Sequence, residues 1–170
     1  MKNELVDGRK NQLPEPQILI GAISNISKEE RPIAAMGNLA TYMAAGRSQM
    51  IQVLNTVFMY RTGTKNVKHY AECYVFNLDT PENLYDNTFR FLSLIQKRGI
   101  KICSITTRDE NFLRTMVRLI PKLDKLGTQA AVGESKKTKY PMYLTHIKFG
   151  NTLLGSKNES KSKKRNSKRR

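Results

Sequence analysis

Residues 51–78 place the strongest constraint on how this 170-residue chain can fold, because they contain two β-rich runs joined by a turn-forming linker. Valine, isoleucine, threonine, phenylalanine and tyrosine dominate both runs, and residues 61–66 supply the break between them. Side chains along a strand alternate between its two faces. The sequence therefore predicts a pair of antiparallel strands with aromatic residues gathered on one face.

A carboxylate and a phenol on this strand pair form the first candidate site. If the turn is centred on Asn66, Tyr60 lies opposite Glu72, and Phe58 lies opposite Tyr74. A slip of one residue would instead move Tyr60 and Glu72 to opposite faces. A carboxylate beside a phenol can hold a cation or take part in proton transfer. The alternative is structural, with Glu72 in water and Tyr60 packed on a helix.

The net charge of +16 is unevenly distributed along the chain. Residues 156–170 contain eight lysines or arginines, one acid and no apolar residue. Such a composition is typical of disorder. We therefore predict one folded domain (17–150) followed by a disordered basic tail (151–170). Residues 1–16 are polar and contain two prolines, which predicts a flexible N-terminal arm. The tail is expected to contact nucleic acid or an acidic surface non-specifically, or to serve only as a solubilising appendage.

Cysteine, histidine and hydropathy patterns exclude several classes of protein. Cys73 and Cys103 both fall in predicted strands, which indicates buried free thiols in a reducing cytoplasm. Neither has metal-ligand spacing, and we interpret His69 and His146 as structural. No apolar run approaches the roughly 20 residues of a membrane span, so no membrane association is expected.

The order of predicted elements indicates the fold. A strand (17–25) and a helix ending at Gly46 precede the strand pair, and Thr80-Pro81-Glu82 then opens a second helix. A strand (100–106), a helix interrupted by Pro121, a polar loop (127–139) and an edge strand (140–149) follow. The β-α-β-β-α-β order predicts an α+β, ferredoxin-like sandwich with an additional C-terminal helix and strand. The inward stripe of the second helix is Leu84, Thr88, Phe91, Leu92 and Ile95.

In residues 17–106 the sequence resembles the phage-encoded S-adenosylmethionine lyases, formerly called hydrolases. The resemblance rests on Tyr60 near the end of the second strand, Glu72 early in the third, and Gln96 near the end of the second helix. The separation between the tyrosine and the glutamate is one residue longer here than in that family. An insertion in the turn of residues 62–68 would absorb the difference.

The resemblance implies an enzyme that cyclises S-adenosylmethionine to 5′-methylthioadenosine and L-homoserine lactone without a metal or other cofactor. Tyr60 and Glu72 would be catalytic, and the substrate would be bound by Phe58, Tyr70, Tyr74 and Gln96. A homotrimer with sites between subunits is implied, as is action in the host cell cytoplasm against restriction-modification. The alternatives are a ferredoxin-like nucleic-acid-binding protein with a basic tail, or a non-catalytic assembly protein.

Overall fold

The computed structural model describes residues 5–7, 49–62, 69–107, 109–135 and 142–155. Within these residues four strands precede the first helix, one strand lies between the two helices and two strands follow them. The strands are β1 Leu5–Asp7, β2 Gln49–Val53, β3 Thr56–Thr62, β4 Tyr70–Asn77, β5 Ile102–Thr107, β6 Gln129–Ser135 and β7 Met142–Lys148. The helices are α1 Pro81–Lys97 and α2 Glu110–Lys125.

The described strands form one seven-stranded sheet in the order β1-β2-β3-β4-β5-β7-β6. Strands β4 and β5 are parallel, and every other neighbouring pair is antiparallel. Helix α1 connects the two parallel strands, as a crossover must. Both helices pack on one side of the sheet, which we call the helix-covered face; the other side is the opposite face.

Helix α1 forms where the sequence predicts it. Thr80 caps its first turn by accepting a hydrogen bond from the Asn83 backbone N–H at 3.3 Å, and Pro81 occupies the first turn. All five residues of the predicted inward stripe are buried. Phe91 stacks on Phe58 of β3, with ring centroids 4.2 Å apart and planes 4° from parallel. This contact joins helix and sheet at the centre of the core.

The predicted ferredoxin-like fold is wrong. In a split β-α-β unit another strand separates the two parallel strands. Here β4 and β5 are direct neighbours, with Tyr70 opposite Ile102 and Tyr74 opposite Thr106. The sheet is also mixed and larger than the prediction, because it contains two hairpins, β2–β3 and β6–β7, that the predicted order lacks.

The first β-rich run is itself a hairpin rather than one strand. Its turn is Leu54-Asn55, and Leu54 has a φ of +51°. A positive φ at the first central residue is typical of tight hairpin turns that favour glycine at that position, so the leucine gives no sign of the turn in the sequence. The Asn55 backbone N–H donates to the Asp79 carboxylate at 2.8 Å, which fixes the turn against the start of α1.

The predicted register between β3 and β4 is also wrong, by one residue. Tyr60 lies opposite Cys73, and Glu72 lies opposite Arg61. The burial pattern of β4 gives the reason, because Ala71, Cys73 and Val75 are buried on the helix-covered face while Glu72 is partly exposed. Apolar burial decides the register, and it moves the glutamate to the opposite face from Tyr60.

The C-terminal half differs from its prediction in two elements. Helix α2 continues through Pro121, where an interruption was predicted, to Lys125, and its N-cap is Asp109. Residues 129–135, predicted to be part of a loop, form the edge strand β6. The predicted edge strand, β7, instead lies between β5 and β6. Small residues and a glycine in β6 lack the apolar alternation by which strands are recognised.

The predicted strand at 17–25, the helix ending at Gly46 and residues 156–170 lie outside the described residues. The division into arm, domain and tail stays a prediction, to which the structure adds two details. Residues 5–7 pair with β2, and Leu154 is buried against the core. Neither described helix is long and apolar enough to cross a membrane, and a host cytoplasmic location stays a prediction.

The two cysteines are free and buried, as the sequence predicts. Their Sγ atoms lie 3.3 Å apart between β4 and β5. Burial raises the pKa of the Cys73 thiol well above its usual value, and contact with Cys103 adds to the effect. Because the thiolate is the reactive species, we expect iodoacetamide to label neither cysteine in the folded protein at pH 7 and both in denaturant. Intact mass measures this; rapid labelling under native conditions would contradict it.

Candidate functional site

Four polar side chains lie in one row across the opposite face of the sheet. Arg61 of β3 lies beside Glu72 of β4, Glu72 beside Ser104 of β5, and Ser104 beside His146 of β7. Neighbouring strands are about 4.8 Å apart, so the row brings together residues from four separate segments. We call these four residues the polar row. Polar and ionisable side chains gathered on a sheet face form the best candidate site in the described part of the chain.

One half of the polar row is an ion pair. The Arg61 guanidinium donates to the Glu72 carboxylate through Nη2 at 2.6 Å and through Nε at 3.0 Å. The side chains are 31% and 24% exposed, so water reaches both groups. An ion pair of this exposure contributes little to stability. Its clearer effect is to hold the Glu72 carboxylate in a defined orientation beside Ser104.

The other half of the row is a chain of hydroxyl groups that ends at an imidazole. The Tyr70 hydroxyl donates to Ser104 Oγ at 2.9 Å, and Ser104 Oγ lies 3.1 Å from His146 Nδ1. Ser104 Oγ has a second lone pair, which can accept from Nδ1–H of His146, and in that tautomer Nε2 of the imidazole is left free to accept a proton. A chain of hydrogen bonds from a phenol through a hydroxyl to an imidazole can hold the histidine in one orientation and can pass a proton.

The pairing between β4 and its parallel neighbour β5 stops before the carboxyl end of β4, close to the polar row. The last pair between β4 and β5 is Tyr74 and Thr106, yet β4 continues to Asn77. Residues 75–77 pair with β3 on one side, and no described strand pairs with them on the other. We call this segment the open edge of β4. It lies at the carboxyl ends of the parallel strands, between the starts of α1 and α2, where ligands of open α/β sheets commonly bind.

Two side chains at this end of the opposite face are exposed apolar or aromatic groups. Tyr74 is 38% exposed and Leu144 of β7 is 43% exposed. They flank Thr106 in the row next to the polar row, one strand to each side. Together with the open edge they form a surface on which an acyl chain or aromatic group could pack.

The structure separates Tyr60 and Phe58 from Glu72. Tyr60 is 3% exposed on the helix-covered face, where its hydroxyl accepts from Arg98 at 2.6 Å and donates to Gln49 at 2.6 Å. Phe58 is fully buried against Phe91. The predicted pair of Tyr60 and Glu72 in one pocket is therefore not formed within this chain.

The Gln96 side chain hydrogen-bonds to the backbone of residues 150–154. Its side-chain N–H groups donate to the carbonyls of Gly150 at 3.1 Å and Thr152 at 3.0 Å. Its carbonyl accepts from the Leu154 backbone N–H at 2.7 Å. The side chain, 8% exposed, thus binds residues 150–154 to α1. Its predicted role in binding substrate has no support from these contacts.

Three of the predicted site residues share the opposite face: Tyr70, Glu72 and Tyr74. The sequence analysis missed the remaining members of the polar row, Arg61, Ser104 and His146. Alternation within β5 and β7 does place Ser104 and His146 on the less buried faces of their strands. That alternation does not, however, predict which strands become neighbours in the sheet.

Metal chemistry has no candidate in the part of the chain that the structure describes, where no group of three or more histidine, cysteine or acidic side chains could hold a metal ion. Among the described residues, the polar row and the open edge of β4 are the features that could bind and act on a substrate.

Comparison with known proteins identifies the fold. No protein-family model matches this chain, and no curated protein sequence matches it. A solved structure described as a candidate phosphinothricin N-acetyltransferase matches with a TM-score of 0.52 and 11% identity, covering 87% of this chain and 100% of that one. A candidate acetyltransferase from Acinetobacter baylyi ADP1 matches with a TM-score of 0.51 and 12% identity, covering 90% and 94%. The chain has the fold of these acetyltransferase structures.

That fold corrects the predicted function. A mixed sheet with adjacent parallel strands, shared with transferase structures, replaces the ferredoxin-like sandwich on which the S-adenosylmethionine lyase interpretation depended. S-adenosylmethionine as substrate, the products methylthioadenosine and homoserine lactone, and the phage anti-restriction role are therefore wrong for this chain. The trimer implied with them loses its basis. The ferredoxin-like nucleic-acid-binding alternative is not supported either.

Proposed function

We propose that the protein is an acyltransferase that moves an acyl group from a thioester to an amine acceptor. The open edge of β4 is the observation that carries the proposal. The neighbouring structures described as acetyltransferases support the reaction class. The polar row supplies groups that the reaction needs.

The open edge suits the amide-bearing arm of a biological thioester. Pantetheine carries two amide groups, and an extended chain with amides can add to a free strand edge through main-chain hydrogen bonds. Bound along residues 75–77, such an arm would bring its thioester to Tyr74 and Thr106. The polar row is two residues further along β4, about 7 Å away.

His146 is the proposed proton acceptor. In the reaction the amine nitrogen attacks the thioester carbonyl carbon, a C–N bond forms and the C–S bond breaks. The amine proton passes to the imidazole of His146, which then returns it to the departing thiolate. Ser104 and Tyr70 hold the imidazole in position. Glu72, fixed by Arg61, would accept a hydrogen bond from the neutral amine and so orient its lone pair toward the thioester.

Thiol release tests the proposal. Acetyl-CoA and acetyl-pantetheine, each with a panel of primary amines, are expected to release free thiol only in the presence of the folded protein, with acetylated amine detected by mass spectrometry. His146→Gln is expected to lower kcat/KM at least about 100-fold, the usual scale of a general base.

The matched control is Lys148→Gln, an exposed residue two positions along the same strand and on the same face. It should retain kcat/KM within about twofold, since surface substitutions away from a site are usually neutral. Absence of thiol release with every pair of donor and amine would reject acyl transfer. Full activity in His146→Gln would remove His146 from the mechanism while leaving the reaction class intact.

A further inference from the structure

The starts of two helices border the open edge of β4. Helix α1 begins at Pro81, directly after β4, and α2 begins at Glu110, directly after β5. In open α/β sheets such helix starts are the usual place for a phosphate group, because their unpaired N–H groups point toward the ligand. Coenzyme A, the usual carrier of a transferable acetyl group, carries a diphosphate. A protein of this fold that binds coenzyme A is therefore expected to hold the diphosphate at one of these two helix starts.

The start of α1 is filled by the chain's own side chains. The Asp79 carboxylate accepts hydrogen bonds from the Asn55 backbone N–H at 2.8 Å and from the Asn87 side chain at 2.8 Å. The Asn83 side chain donates to the same carboxylate at 3.2 Å, and its backbone N–H donates to the Thr80 hydroxyl at 3.3 Å. A carboxylate thus lies beside the first turn of α1, and the Thr80 hydroxyl already takes one of the N–H groups that a phosphate would need.

The start of α2 has the same character. The Asp109 side chain accepts from the Asn111 backbone N–H at 2.9 Å, and Glu110 follows in the first turn. Glu110 is paired with Arg114 at 3.1 Å, and α1 likewise has an acid, Glu82, in its first turn. Among the described residues, the two helix starts carry four carboxylates, with Asp79 directly before the cap of α1: Asp79, Glu82, Asp109 and Glu110.

These residues do not fit a diphosphate. Like charges repel by about 1 kcal/mol at 4 Å even in water, and by more near a protein surface. The connection of residues 78–80, Leu-Asp-Thr, also contains no glycine to let a phosphate approach the backbone. In a chain of net charge +16, residues 78–84 at the start of α1 contain two acids and no lysine or arginine, whereas the two acids among residues 107–114 are accompanied by two arginines.

We infer that the acyl donor is a pantetheine thioester recognised through its amide arm and acyl group, with no binding site for a nucleotide diphosphate. This inference rests on the proposed acyl transfer and adds the class of donor to it. The same pantetheine chemistry occurs in the small thioester, in coenzyme A and on acyl carrier proteins. A comparison of these three donors separates the sources.

The test compares kcat/KM for acetyl-pantetheine, acetyl-CoA and an acetylated carrier protein with one amine acceptor. Acetyl-pantetheine is expected to match or exceed acetyl-CoA, because a nucleotide that makes no favourable contact adds no binding energy. If kcat/KM for acetyl-CoA is more than about tenfold higher than kcat/KM for acetyl-pantetheine, the nucleotide contributes about 1.4 kcal/mol of binding. That result would overturn the inference but would leave the proposed acyl transfer intact. A carrier protein that exceeds both would identify it as the source.

Binding without turnover gives an independent measurement. Calorimetry is expected to give coenzyme A a Kd no lower than that of pantetheine. Tighter binding of coenzyme A by about tenfold or more would again reject the inference. If no donor is turned over and neither compound binds, the proposed function fails and the inference fails with it.

Substitutions that remove the charge of a glutamate test whether the acids at the helix starts exclude the diphosphate. Glu82→Gln and Glu110→Gln, both at exposed first-turn positions, are expected to lower KM for acetyl-CoA severalfold and to leave KM for acetyl-pantetheine unchanged. Asp124→Asn, an exposed acid at the far end of α2, is the matched control and should change neither value. Equal effects of all three variants on both donors would show that the acids at the helix starts do not govern donor choice.

Discussion

Phe91→Ala is expected to lower the free energy of unfolding by about 3–5 kcal/mol, the range found when a buried phenylalanine is truncated. Phe91 is fully buried in α1 and stacks on Phe58, with Tyr60 tilted against it at 6.0 Å between ring centroids. Truncation would leave a cavity between helix and sheet and remove both aromatic contacts. Since domains are stable by only about 5–15 kcal/mol, this one change would remove much of the total. Urea unfolding followed by circular dichroism measures it.

Phe89→Ala is the matched control, on the same helix two residues away. Phe89 is only partly buried, and its ring is covered by the Lys122 ammonium at 3.9 Å from the centroid. Its truncation should cost about 1 kcal/mol, because a partly exposed ring loses less burial and a cation–π contact contributes about 0.5–1 kcal/mol at an exposed site. Similar losses in both variants would show that the stack of Phe91 on Phe58 is not the central contact of the core.

Helix α1 could be predicted from the sequence because its determinants are local. A cap at Thr80, a proline in the first turn and a glycine after the last turn lie within one segment, and the apolar stripe repeats with the helical period. The same holds for β4 and β5, which are β-rich runs bounded by polar residues. Each of these elements forms close to its expected limits.

The fold itself depends on pairings that local patterns do not contain. The β2–β3 turn uses Leu54 with a positive φ, and a leucine gives no indication of such a turn. The hairpin is instead held by Asp79, which lies 24 residues from its partner Asn55. With this turn unrecognised, the run at 51–60 is interpreted as one strand, and this error together with the missed strand β6 gives the wrong count of strands.

The candidate site was predicted only in part for the same reason. Glu72 was identified as a polar residue on an otherwise β-rich strand, but its partner was assigned by a register one residue from the observed one. Ser104 and His146 are 42 residues apart and meet only because β7 inserts between β5 and β6. No spacing motif marks such a pair, so His146 was interpreted as structural.

Gln96→Leu is expected to lower the free energy of unfolding by about 2–3 kcal/mol. The variant keeps a similar volume but removes the partner of the buried Leu154 N–H, and an unsatisfied buried group costs about 1–3 kcal/mol. The Gly150 and Thr152 carbonyls also lose their donor, although Thr152 is exposed and can bind water. Amide hydrogen exchange at Leu154 should accelerate more than exchange in β4.

Ser93→Ala is the milder comparison, since it removes a single hydrogen bond, from the Ser93 hydroxyl to the Leu154 carbonyl at 2.7 Å. Its expected cost is about 1 kcal/mol. Gln96→Leu also decides between two roles for this side chain. If Gln96 only binds residues 150–154, the variant loses stability while KM for donor and amine stays unchanged well below its Tm. A raised KM with unchanged stability and unchanged exchange at Leu154 would instead restore the prediction that Gln96 binds substrate, and would mean that another contact holds the C-terminal segment on α1.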